Sequence, residues 1–158
     1  MELVADGAIK IPKLIGAAAK VLERVQATKD PVEQELLLGS VITKLAAADS
    51  GHSESTALAH AYSLRARALA NQEKWSMAIE DAQKVVLGEK LRLAATDASL
   101  SLSYRVWADA EEQLRLIDEK DGETHNKERV IAVLQHWQKA QPNYRTKLQR
   151  EMQEILDK

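Results

Sequence analysis

Residues 57–88 read ALAHAYSLRARALANQEKWSMAIEDAQKVVLG, and the fold turns on how that stretch divides. Its first half carries Tyr62, Ala66 and Leu69, and its second carries Trp75, Ala78, Ala82 and Val85. Between them stands the polar run Asn71-Gln72-Glu73-Lys74. Where two helices cross closely, small residues are needed at the crossing and large apolar ones in the groove beside it. Both halves meet that need at helical spacing, so the stretch is expected to form two helices joined by a turn.

The pattern recurs 32 residues on. Trp75-Ser76-Met77-Ala78 is echoed by Trp107-Ala108-Asp109-Ala110, and the same offset puts Ala66 on Ala98, Ala82 on Leu114 and Val85 on Ile117. Periods of this size mark stacked helix pairs, the tetratricopeptide unit having ~34 residues. On these residues the chain resembles the tetratricopeptide family. That family's unit has a large residue at its fourth position, small ones at the eighth and twentieth, and a bulky one at the eleventh. An aromatic follows at the seventeenth and an apolar residue at the twenty-seventh. Tyr62, Ala66, Leu69, Trp75, Ala78 and Val85 match all six. The second copy keeps Ala98, Trp107, Ala110 and Ile117 but has Ala94 and Ser101 where bulk is expected. The competing reading is a plain helical bundle whose Trp-x-x-Ala pairs coincide.

The resemblance implies an all-α, right-handed stack of antiparallel hairpins, an α-solenoid of seven to eight helices. The units expected are a degenerate hairpin at 13–48, repeats at 54–88 and 90–120, and a terminal hairpin at 126–158. It also implies a concave face lined by the first helix of each pair, where a protein or peptide segment binds. The lining positions are His60, Ser63, Arg67 and Asn71 in the first repeat, and Arg92, Ala95, Ser99 and Leu102 in the second. Arg67 and Arg92 suit a carboxylate on such a segment, because a guanidinium offers a two-pronged donor. Family members that hold the C-terminal carboxylate of a heat-shock protein use a lysine and two asparagines. Ser63, Arg67 and Thr96 occupy those positions here, so that clamp is not matched; a co-chaperone-like role without it stays open.

Bulk properties agree with the helical reading and narrow the function. At 158 residues the chain is one domain by length, large enough to bury roughly 68–70% of its unfolded surface without crosslinks. It has no cysteine, so thiolate zinc sites and cysteine nucleophiles are excluded, and a cytoplasmic location is expected. A net charge of −2 and a pI near 6.1 give no electrostatic footprint for nucleic acid. No run of apolar residues is long enough for a membrane span. The opening MELVADGAIKIPK has Glu2 and lacks a basic region before an apolar core, so no secretory signal is read there. Six glycines, three prolines and no phenylalanine, in a chain rich in Ala, Leu, Glu, Lys and Gln, favour helix throughout.

Along the chain, Met1–Ile11 is ambiguous between a frayed helix and a lead-in. From Pro12 the residues Leu14, Ile15, Ala18, Val21, Leu22 and Val25 follow helical spacing to about Thr28. Asp30-Pro31 is a start signal for a helix running through Leu36, Leu37, Val41, Ile42 and Leu45. Gly39 inside it costs ~1 kcal/mol relative to alanine, which points to a close backbone approach there. Residues 49–53 are expected as loop, with Ser53 or Ser55 capping the next helix. Gly88 is a stop signal, the second repeat should break near Ser103-Tyr104, and Asp118 to Lys127 is the most polar linker. Thr124 or Asn126 can cap a helix carrying Val130, Val133, Leu134 and Trp137, which ends before Pro142. Tyr144, Leu148, Met152, Ile155 and Leu156 then form the stripe of a terminal capping helix.

Catalytic chemistry finds little support. His52, His60, His125 and His136 form no His-Glu-x-x-His pattern, no phosphate-binding glycine motif occurs, and no Gly-x-Ser-x-Gly elbow is present. Adjacent acids such as Glu111-Glu112 point about 100° apart on a helix. No cofactor, metal or catalytic residue is therefore expected. The function expected is a non-catalytic adaptor or scaffold. The alternatives are a small helical enzyme or ligand carrier, and self-association through the terminal helix.

Overall fold

The computed structural model describes residues 19–47, 52–120 and 127–142, together with Arg150 and Glu154. Among the described residues there is helix and turn but no strand, so the protein is all-α. Residues 19–27 form α1. They are followed by α2 (Pro31–Ala47), α3 (His52–Ala70), α4 (Trp75–Val86), α5 (Glu89–Ala94), α6 (Asp97–Lys120) and α7 (Lys127–Ala140). The expectations for residues 1–18, for the caps Thr124 and Asn126, and for the terminal stripe from Tyr144 to Leu156 lie outside the described residues.

α3 is the central element because it is apolar and small on two flanks. Ala59, Ala66 and Leu69 face a core shared with Ala78, Ala82 and Val85 of α4, Tyr104, Trp107 and Ala110 of α6, and Val130, Leu134 and Trp137 of α7. Ala61 and Leu64 face a second core with Val25 of α1 and Leu38, Val41, Ile42 and Leu45 of α2. Alanines on both sides let neighbouring helices approach, and Ala66 is fully buried. A leucine there would overpack the crossing at a cost of about 1–3 kcal/mol.

Neighbours in the chain run antiparallel. Gln72, just past α3, donates to the Pro31 carbonyl at the start of α2 (3.2 Å). Arg65 and Asp81 meet across the α3–α4 hairpin. From one end of the α6–α7 pair to the other, Glu111 meets Arg129, Tyr104 meets His136, and the Asp97 carbonyl meets Gln141. α6 packs on both α3 and α4 as well as on α7, and α5 fits against α3 and α4.

The start signal at Asp30 operates as expected: its Oδ1 accepts the Val32 N–H at 3.0 Å. The polar run 71–74 is the expected turn, and its hydrogen bonds are specific. Glu73 N–H donates to the Ala70 carbonyl and Lys74 N–H to the Leu69 carbonyl, both at 2.9 Å, while Glu73 sits at φ 60°. That is a Schellman closure with a glutamate where glycine is usual.

Three expectations are corrected. The break near Ser103-Tyr104 does not exist; α6 runs through it, and the chain bends instead at Ala95-Thr96. Threonine explains the shift, since Thr96 Oγ1 accepts the Ser99 N–H (3.1 Å) as a helix cap. Residues 90–120 are thus α5 and one long helix, and Trp107 lies inside that helix, whereas Trp75 begins one. Neither Ser53 nor Ser55 caps α3, which starts at His52. Gly39 answers no backbone approach, as a Cβ built there meets only an Arg65 guanidinium nitrogen at 4.0 Å.

Candidate functional site

Of the eight residues expected to line a binding face, the six polar ones separate into two kinds. His60 Nδ1 stands 3.3 Å from Ser99 Oγ, joining α3 to α6. Thr96 Oγ1 donates to Ser99 Oγ at 3.1 Å, which leaves the Ser99 hydrogen to face His60. Ser63 Oγ donates to the His60 carbonyl within its own helix at 2.8 Å. Ser63 and Ser99 are 0% and 1% exposed, so neither can line an open surface; this corrects their placement among peptide-contacting positions. Arg67 is half-buried, and Asn71 and Arg92 are exposed. The His60 pKa is lowered, first by burial of the ring and then by the Arg67 charge. Arg67 therefore stands in electrostatic reach of the histidine, and Arg92 acts in the same way on Tyr104. A serine beside a histidine is the raw material of a nucleophile, but the hydroxyl here is sealed inside the α3–α6 contact.

A second constellation was not legible beforehand. α2, α3 and α4 enclose an open cleft of about 150 Å³, lined by Glu35, Arg65, Leu69, Met77, Glu80, Asp81 and Lys84. Its floor is a two-pronged ion pair. Arg65 donates from Nε to Asp81 Oδ2 at 2.6 Å and from Nη2 to Oδ1 at 3.0 Å, and Lys84 Nζ lies 3.5 Å from Oδ1. The Arg65 pKa is raised chiefly by the hydrogen bond to Asp81. Arg65 and Lys84 also lie over the Tyr62 ring, at 5.4 and 5.0 Å from its centre. On the α2 wall, Glu35 Oε1 accepts from Gln72 Nε2 (2.9 Å) and Lys74 Nζ (3.3 Å). The Gln72 bond leads in holding the Glu35 carboxyl below its ordinary value.

The third cluster ties α6 to α7. Tyr104 stacks between Trp107 and Trp137, with ring centres 6.3 and 6.0 Å away, and its Oη lies 2.8 Å from His136 Nδ1. Trp107 Nε1 and Arg129 both donate to Glu111 Oε2 at 3.3 Å. The indoles of Trp107 and Trp137 are buried in the core, while Trp75 is half-buried against it; the His136 partnership needed two distant segments and left no signal in either.

Among the described residues no group of three or more histidine, aspartate or glutamate side chains is placed to hold a metal, and no helix is long and apolar enough to cross a membrane. Compared with family models, curated proteins and solved structures, the chain finds no match.

Proposed function

We propose that the chain is a non-catalytic module that binds a segment of another protein on stacked, tetratricopeptide-like hairpins. The observation that carries this reading is the seat of α6, which packs on both helices of the preceding hairpin, α3 and α4, while pairing with α7. Repeat stacks are built of such nearest-neighbour contacts, each unit covering the open face of the one before. In this reading the units are α1–α2, α3–α4 and α6–α7, with α5 as an insertion. The second strong unit is then 97–140 rather than 90–120.

The segment-binding side is that of α3 and α5, where Arg67, Asn71 and Arg92 remain available and His60 is half-buried behind them. Two guanidiniums there favour a partner with carboxylates, a C-terminus or an acidic stretch. The α2–α4 cleft, at about 150 Å³, is smaller than the roughly 300–1,000 Å³ of small-molecule sites. The absence of cysteine fits a reducing, cytoplasmic setting.

The test is crosslinking mass spectrometry on pulldowns from native cytosol, comparing the wild type with Arg67→Glu/Arg92→Glu. Loss of a defined partner in the variant supports the reading. Unchanged partners, with a small molecule seen on the protein in native mass spectrometry, would replace it with a carrier.

A further inference from the structure

We propose that Tyr104 and His136 form a site of proton-coupled oxidation, a sink for radicals formed on the neighbouring indoles. Tyr104 passes an electron to an oxidised tryptophan while its hydroxyl proton moves to His136.

The α6–α7 contact assembles the parts. Tyr104 stacks on both Trp107 and Trp137, with ring planes 18° and 10° apart and ring centres 6.3 and 6.0 Å away. An electron therefore has a short path from the phenol to either indole. The Tyr104 Oη lies 2.8 Å from His136 Nδ1. With its own hydrogen on Nε2, the neutral imidazole accepts the phenol's hydrogen bond at Nδ1. His136 is exposed, so a proton that it receives can pass on to water. Tyr104 is fully buried, which shelters a radical there from solvent.

The proton decides which ring keeps the radical. A phenol that loses an electron becomes a strong acid, and the loss is easy only where a base takes the proton in the same event. His136 is such a base. The Trp137 N–H bonds instead to the Gln141 amide oxygen at 2.8 Å, which accepts a hydrogen bond but is no base at neutral pH. The Arg105 guanidinium, 5.7 Å from the centre of the Trp137 ring, takes up the electron-rich face and disfavours positive charge on that indole. The Trp107 N–H faces the Glu111 carboxylate at 3.3 Å, but Arg129 holds the same carboxylate, and a proton arriving there would break that ion pair. Tyr62 lies under Arg65 and Lys84 and has no histidine at its hydroxyl among the described residues. Oxidation therefore runs from the indoles to Tyr104.

The external reactant is a small one-electron oxidising radical. It removes one electron from Trp107 or Trp137, is itself reduced to its anion, and leaves an indole radical cation. One electron then returns to the indole from Tyr104. The Tyr104 O–H bond breaks and an N–H bond forms at His136 Nδ1. The products are an intact tryptophan, a neutral phenoxyl and an imidazolium. None of this depends on whether the α3 and α5 side binds a segment.

The experiment is pulse radiolysis of the full chain with the azide radical, read by transient absorption, in which indole and phenoxyl radicals have separate bands. In the wild type the indole signal should decay into phenoxyl at a rate independent of protein concentration, and more slowly in heavy water. Tyr104→Phe should remove that phase, since no phenol is left between the indoles. His136→Asn retains a hydrogen-bond acceptor but no base, and should slow the phase by about 10²-fold. Far-UV spectra matching the wild type verify that both variants fold, and the isotope effect is read on the wild type alone. A phase that survives Tyr104→Phe, keeps its rate in His136→Asn, or shows no isotope effect would overturn the proposal. So would indole radicals that decay only by collision between molecules.

Discussion

Arg65 grips Asp81 with two nitrogens, at 2.6 and 3.0 Å, and the pair fastens α3 to α4 sixteen residues away in sequence. The two partners are unequal: Asp81 is nearly sealed, while about a quarter of the Arg65 side chain is open to water. Removing the arginine strands a buried carboxylate with only Lys84 nearby, and removing both leaves an apolar contact. Arg65→Met should therefore cost about 2–3 kcal/mol, and Arg65→Met/Asp81→Leu distinctly less. Urea denaturation of the two variants checks the order; a double variant no more stable than the single one would contradict it.

Two backbone positions carry the wrong residue for stability. Gly39 is in mid-helix with its nearest obstacle a flexible guanidinium at 4.0 Å, so Gly39→Ala should stabilise by ~1 kcal/mol. Glu73 occupies φ 60°, a region that costs a side chain roughly 1–2 kcal/mol and a glycine almost nothing. Glu73→Gly should raise stability by about 1 kcal/mol, and Glu73→Val should lower it. Melting temperatures of the three variants are the measurement.

The α3–α4 hairpin was readable from 57–88 because the information is local: apolar residues at helical spacing, and a polar run that must leave the helix. The same clarity misled at 90–120. There a match of Trp107 and Ala110 to Trp75 and Ala78 suggested another hairpin, yet no polar run separates Leu102 from Val106. Without such a run nothing stops the helix, and Thr96 begins it instead. Arg67, Asn71 and Arg92 could be named in advance as available groups. The burial of Ser63 and Ser99, and the meeting of Glu35, Asp81 and Met77 around a cleft, depend on how helices lie across one another and leave no mark in local spacing.

His60 couples the α3–α6 contact to pH. Its folded pKa is below the ordinary 6.5, so the unfolded chain takes up the proton first. Its contribution to stability is complete above the unfolded value and is lost as pH falls from 6.5 toward the folded pKa. Glu35, also lowered, gives up its contribution only below its ordinary 4.5. Urea midpoints measured between about pH 8 and pH 5 should fall on acidification in the wild type and fall less in His60→Gln. Identical slopes would remove His60 from the account.

Tyr104 and His136 share one hydrogen bond but not one environment. The tyrosine is fully buried between two indoles, whereas the histidine is exposed. Tyr104→Phe deletes the hydroxyl and leaves an imidazole that water can serve, at about 0.5–1.5 kcal/mol. His136→Leu leaves the hydroxyl buried against apolar groups, at about 1–3 kcal/mol, and adding Tyr104→Phe should recover part of that loss. The same burial pushes the phenol up to about 12, with Arg92 pulling against it. Since the folded state keeps its proton longer, this group's contribution is intact below the ordinary value of 10.0 and is lost as pH rises toward 12. Ultraviolet titration, with Tyr104→Phe as the difference sample, should show Tyr104 ionising late and together with unfolding. A phenol that titrated near 10 in the intact protein would mean that the α6–α7 contact is open to water.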